Sequence, residues 1–256
     1  MSKAVNLIQQ AEKKAKGHAF SFLSGGPKYD EAADLYKKAG NVYKLEKSWS
    51  LAAECFFKAS GCHEANDDRI SQMQMLTEAY TTANRVSRSE ADVYFNLVVR
   101  LNNDHGRFAQ NAKMYKTQAE QLEKDGDQRG AMVAFKEAAR FFEMDDYGKS
   151  NYSQCIVQYA QYKAQLDGDV DEAIRIFEKE AEKCLENNLL QFNAKEHFLK
   201  AGLLVLSKGD AITASVSYDQ YTSLDPRFEQ SGEGRLMRGL TEAFEEGDVK
   251  KFVEAA

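Results

Sequence analysis

The chain holds 256 residues, 43% hydrophobic and 29% charged, which excludes a disordered protein and bounds the fold at one or two domains. Its net charge of −6 excludes a protein whose whole surface binds nucleic acid, because phosphate neutralisation needs a basic excess. Only 2 Pro occur, no apolar run is long enough to cross a bilayer and no secretory signal opens the chain, so the expectation is an all-α, cytoplasmic protein.

In chain order, Met1 to Lys16 is amphipathic and carries Lys13, Lys14 and Lys16. The segment that follows, Ala19-Phe20-Ser21-Phe22-Leu23-Ser24-Gly25-Gly26-Pro27, sets large apolar side chains before a Gly-Gly-Pro ending that no helix interior tolerates. That predicts a loop. Loops run over surfaces, so Phe20, Phe22 and Leu23 either fold back as a staple or meet a partner. With Lys13, Lys14, Lys16 and Lys28 around them, they suit shallow insertion into an anionic bilayer face.

From Lys28 onward a helical phrase, Ala-x-x-x-Phe/Tyr, recurs: Ala32/Tyr36, Ala52/Phe56, Ala91/Phe95, Ala131/Phe135, Ala173/Phe177, Ala194/Phe198 and Ala214/Tyr218. Four copies continue with Ala39, Ala59, Ala138 and Ala201, so small, large and small side chains share one helix face and let a neighbouring helix approach closely. Ser48 is a candidate cap for a helix opening at Trp49. Between Ser60 and Arg107 the register is open, with Asn66-Asp67-Asp68 and Ser87-Arg88-Ser89 as candidate boundaries. Gly126-Asp127, Gly168-Asp169, Gly209-Asp210 and Gly247-Asp248 pair a residue that closes one helix with one that caps the next. Asp225-Pro226 marks a further helix start. The Gly-Asp pairs recur at a spacing of about 40 residues, which predicts stacked antiparallel helix pairs.

Chemistry-bearing residues are sparse. Gly148-Lys149-Ser150 resembles the end of a phosphate loop, but Glu143 stands where the first glycine is needed, and the context is helical. His18, His63, His105 and His197 have no partners at metal-ligand spacing, and Cys55, Cys62, Cys155 and Cys184 read as small buried hydrophobes. No catalytic group, cofactor site or metal site is expected.

Together the repeat plan, the Phe20 to Gly26 loop, Lys47-Ser48-Trp49-Ser50-Leu51-Ala52-Ala53 and the stretch Leu189-Leu190-Gln191-Phe192-Asn193-Ala194 through Ala201 resemble the soluble NSF attachment proteins of the α/β type, from about Gln10 to the end. Gly106-Arg107-Phe108 with Lys113, and Arg235-Leu236-Met237-Arg238 followed by Glu242, Glu245 and Glu246, add to the resemblance. It implies a right-handed solenoid of TPR-like hairpins over 1–187, with a membrane-contact loop at 17–27. A small C-terminal helical bundle over 188–256 would follow, incomplete because family members continue past the equivalent of Ala256. It further implies an adaptor, not an enzyme, that binds the assembled SNARE four-helix bundle and recruits the NSF hexamer in vesicle fusion and protein transport. Arg107, Lys113 and Lys195 match basic positions of a concave SNARE-binding face, and Leu189 an apolar one. Glu242, Glu245 and Glu246 match the NSF-binding surface, and Phe20, Phe22 and Leu23 the peripheral contact with an anionic membrane. Several copies per SNARE complex, each monomeric alone, are expected.

There are departures. Two family lysines fall on Gln154 and Gln158 and an arginine near Gly232, leaving Lys149, Lys163 and Arg227 as candidate substitutes. The alternative reading is a generic TPR-like scaffold holding an unrelated peptide.

Overall fold

The computed structural model describes residues 2–16 and 26–255, so Phe20, Phe22 and Leu23 lie outside the described residues. Among the described residues the chain forms fourteen α-helices, one short 3-10 turn and no strand. It divides into two compact units, Met1–Arg107 and Phe108–Ala256.

The first unit contains α1 (Lys3–Lys16), α2 (Tyr29–Leu45), α3 (Trp49–Ala65), α4 (Arg69–Ala83) and α5 (Arg88–Asp104), each packed on the next. Its core follows the repeated phrase: Ala32, Tyr36, Ala39, Ala52, Phe56 and Ala59 are all buried. Gly40 shows how close these helices come. A Cβ built there would sit 2.9 Å from the Phe56 ring, so α2 meets α3 at a distance only glycine permits without displacing that ring.

The second unit contains α6 (Phe108–Lys124), α7 (Gln128–Glu143), α8 (Lys149–Leu166), α9 (Val170–Leu185) and α10 (Ala194–Ser207), again packed in succession. There follow α11 (Ala211–Leu224), α12 (Arg227–Gln230), α13 (Gly232–Glu246) and α14 (Val249–Ala255). Here the pattern changes, because α13 packs against both α10 and α11. Phe198, Tyr221, Phe228 and Met237 fill the space between them, with the Phe198 and Tyr221 rings stacked at 4.7 Å. Both units are built from TPR-like helical hairpins, and the chain is all-α as expected.

The turns explain the period. Gly126, Gly168, Gly209 and Gly247 all take positive φ, and the Asp after each accepts a hydrogen bond from a backbone N–H three residues on, at Gly130, Glu172, Thr213 and Lys251. The same turn recurs where no Gly-Asp announces it. Lys47 (φ 58), Asp67 (φ 55) and Gly106 (φ 65) occupy the left-handed position. The N–H of the next residue then donates to the carbonyl five residues back in each case, Ser48 to Tyr43, Asp68 to His63 and Arg107 to Asn102.

The boundaries at Asn66-Asp67-Asp68 and Ser87-Arg88-Ser89 fall where the sequence placed them, with Asp68 and Ser87 as side-chain caps. Ser48 is the exception. It precedes α3, but its hydroxyl accepts no cap bond. At a backbone ψ of 69° the one-atom-shorter Ser side chain falls short, whereas the Asp carboxylates reach at ψ 81° for Asp68 and 74° for Asp127.

Candidate functional site

Arg107 is the last residue of the first unit. Its backbone is fixed by the turn at Gly106, and its half-buried guanidinium lies 3.1 Å from the Met73 sulfur. Lys113 projects from α6 in the second unit. It is exposed and has no ion pair among the described residues.

Helix α8 faces α6 through a polar stripe. Asn151, Gln154, Gln158 and Tyr162 recur every three or four residues; Asn151 and Gln154 accept from Lys116 of α6, and the Tyr162 hydroxyl donates to Glu123 at 2.6 Å. Burial and that carboxylate together push the Tyr162 hydroxyl up to about 12. Of the candidate substitutes for the absent family cations, Lys163 is paired with Asp167 at 2.8 Å and Arg227 with Asp225 at 2.7 Å. Lys149 is exposed with no ion pair among the described residues.

The connection from α9 to α10 forms an apolar knuckle. Leu189 is 89% exposed, Phe192 64% and Leu190 45%, far from the burial such side chains usually reach. Arg227 braces it from α12, donating from Nη1 to Gln191 Oε1 at 2.6 Å and lying 5.5 Å from the Phe192 ring. Lys195 follows in the first turn of α10, where its ammonium pairs with Glu233 of α13 at 3.1 Å. Burial works to raise the Glu233 carboxyl, but the hydrogen bonds from its own backbone N–H and from Lys195 outweigh it and hold the group below the usual carboxylate range. Leu189 and Lys195 thus share one region, while Lys113 sits on α6, whose polar contacts run to α8.

Glu242, Glu245 and Glu246 occupy the end of α13. Two of the three are already engaged: Glu242 accepts from Arg238 at 2.8 Å, and Lys251 of α14 reaches Glu246 at 3.0 Å and Glu242 at 3.7 Å. The Arg238 hydrogen bond holds the Glu242 carboxyl below its ordinary range. Glu245 is exposed.

At the N-terminal edge, Glu31 bridges Lys14 and Lys28, and the two lysines hold its carboxyl down at about 2. The Lys28 N–H donates to the Lys14 carbonyl at 3.0 Å. Lys14 and Lys28 are therefore tied together, and of the four lysines Lys13, Lys14, Lys16 and Lys28 these two are neutralised. Sequence reasoning missed this pairing, and it also missed Lys116, Leu190, Phe192 and Lys251. For Lys116 the available signal was its spacing of three from Lys113, which places both on one helix face.

Among the described residues no group of His, Cys, Asp and Glu is placed to hold a metal ion. Burial pushes the Cys55 and Cys155 thiols up to about 11, which makes them poor nucleophiles. His197 is half-buried against Phe177, its Nδ1 meets no partner, and burial with the nearby Lys200 lowers its pKa. No helix of the described residues is long and apolar enough to cross a membrane.

Hairpin repeats that display isolated cations, an apolar knuckle and an acidic helix end define a helical-repeat protein that works through its surfaces. Over residues 2–256 the sequence matches the soluble NSF attachment protein family, and the chain belongs to that family. It is 34% identical to an alpha-soluble NSF attachment protein of Vitis vinifera, over 96% of this chain and 85% of the relative. It is 31% identical to the vesicular-fusion protein SEC17 of Komagataella phaffii, over 100% and 88%. To the beta-soluble NSF attachment protein of Bos taurus the identity is 30%, over 98% and 85%.

Proposed function

We propose that this chain is a non-catalytic adaptor in SNARE-complex disassembly, binding the assembled four-helix SNARE bundle and recruiting the ATPase NSF during vesicle fusion and intracellular transport. Family membership over residues 2–256 carries the reading. The exposed Lys113, with no ion pair among the described residues, and the separate apolar Leu189 knuckle of the same unit support it, since an acidic helical rod is met by scattered positive charge and a few apolar anchors. Arg107, Lys113, Leu189 and Lys195 contact the bundle. Lys195 does so by exchanging its partner Glu233 for a bundle carboxylate, which leaves Lys113 the strongest single contributor of long-range attraction. Glu242, Glu245 and Glu246 meet NSF, with the segment from 188 onward as the C-terminal bundle that presents them. Several copies, each monomeric in isolation, surround one SNARE complex.

Lys113→Glu combined with Lys195→Gln tests the face. Gln rather than Glu is used at 195, because Glu would leave two carboxylates opposed at Glu233. Binding to an immobilised SNARE bundle is expected to fall several-fold at low salt and to converge with the parent at high salt, where screening removes the attraction. Equal binding at low salt would reject the face.

Phe20, Phe22 and Leu23 make a peripheral contact with an anionic membrane, at which the cytoplasmic protein gathers. Because Glu31 neutralises Lys14 and Lys28, the electrostatic part of that contact rests on Lys13 and Lys16, and the apolar tip contributes the greater share. Phe20→Ser with Phe22→Ser is expected to abolish flotation with phosphatidylserine liposomes while the helical spectrum is unchanged. Undiminished flotation would rule the contact out.

A further inference from the structure

Several cations of the second unit are matched to a carboxylate, as Lys163 is to Asp167, Lys195 to Glu233 and Lys208 to Asp171. Lys116 is not. It lies on α6 one turn beyond Lys113, and its ammonium donates to Asn151 Oδ1 at 3.0 Å and to Gln154 Oε1 at 2.8 Å, both on α8. Both acceptors are neutral amides. Among the described residues no carboxylate lies within ion-pair distance of Lys116; Glu120, one turn further on, is exposed and remains outside that distance. The amides therefore hold the charge in place without cancelling it.

That arrangement matters for binding. A free lysine carries large rotamer entropy, much of which is lost when a ligand fixes it. Lys116 is already fixed, so a carboxylate meeting it costs less ordering than one meeting a free lysine. Its geometry is also exclusive: an ammonium at position 154 would stand within hydrogen-bond distance of Lys116, and like charges so close destabilise each other. The contact between α6 and α8 thus holds one cation, and in this chain it comes from α6.

We infer that Lys116, braced by Asn151 and Gln154, is a contact for the acidic surface of the helical bundle, acting with Lys113 one turn away. This rests on the adaptor reading above. The test measures binding to an immobilised assembled SNARE bundle at 50 and 300 mM salt, for the parent, Lys116→Gln, and the exchange Lys116→Gln with Gln154→Lys, with thermal melting as the control for folding. Lys116→Gln is expected to weaken binding about two- to fivefold at low salt, the range of one solvent-facing charge pair, with a smaller loss at high salt. The exchange returns the charge to the same place from the other helix and is expected to recover binding. Parent-level binding by Lys116→Gln at low salt would overturn the inference and leave the adaptor reading intact. A loss that the exchange fails to recover would overturn it too, because Lys116 would then act only as a brace between helices. Absence of binding by the parent itself would instead remove the adaptor reading on which the inference stands.

Discussion

At Lys47 the chain accepts a conformation its side chain disfavours. The left-handed region costs an ordinary residue roughly 1–2 kcal/mol, and Lys lacks the short polar side chain that lets Asp or Asn satisfy itself there. Lys47→Gly removes that strain, and part of the gain returns to the unfolded chain through the extra freedom of glycine. The expected result is a stabilisation of about 0.5–1 kcal/mol, read as a raised denaturation midpoint at unchanged slope. A lowered midpoint would show that the lysine side chain contributes a contact outweighing the strain. His197 makes the second prediction at this scale. Burial and Lys200 lower its pKa in the folded state, so between that value and the ordinary 6.5 the unfolded chain binds more protons. Stability then falls as pH drops below about 6.5. His197→Phe keeps the ring against Phe177 and is expected to flatten the dependence of the melting temperature on pH between 7 and 5. An unchanged slope would place the sensitivity elsewhere.

Many of the helices were legible because they carry their own signal: Ala and aromatic residues four apart for the packed face, or Gly-Asp where one helix closes and the next is capped. Boundaries near Lys47 and at Asp67 were legible too, but not the left-handed backbone there, since a non-glycine residue in that region leaves no mark in composition. Pairings between helices were equally hidden. The residues of α13 that stood out as acidic prove partly neutralised, because Lys251 lies on α14 and only the turn at Gly247 brings it back over Glu242 and Glu246. The same holds at α6, where Lys113 was found by its motif, but Lys116 acquires meaning only from two amides on another helix. Arg107 shows the limit from the other side: its motif was plain, and its half-burial against Met73 was not.

For the molecule as a whole, two units of packed hairpins supply helical surface, of which one set of residues is proposed for the SNARE bundle and another for NSF. The charge on the side proposed for NSF is tempered from within: Lys251 pairs with two of the three carboxylates, an exposed, solvent-screened arrangement that is readily displaced. The deciding measurement is retention of NSF on beads that carry assembled SNARE bundle, under conditions where ATP is bound but not hydrolysed. NSF is expected to be retained only when this chain is added, and Lys251→Ala to raise the amount retained by about two- to fivefold by freeing Glu242 and Glu246. Bundle-bound chain that leaves NSF in the supernatant would contradict the adaptor role.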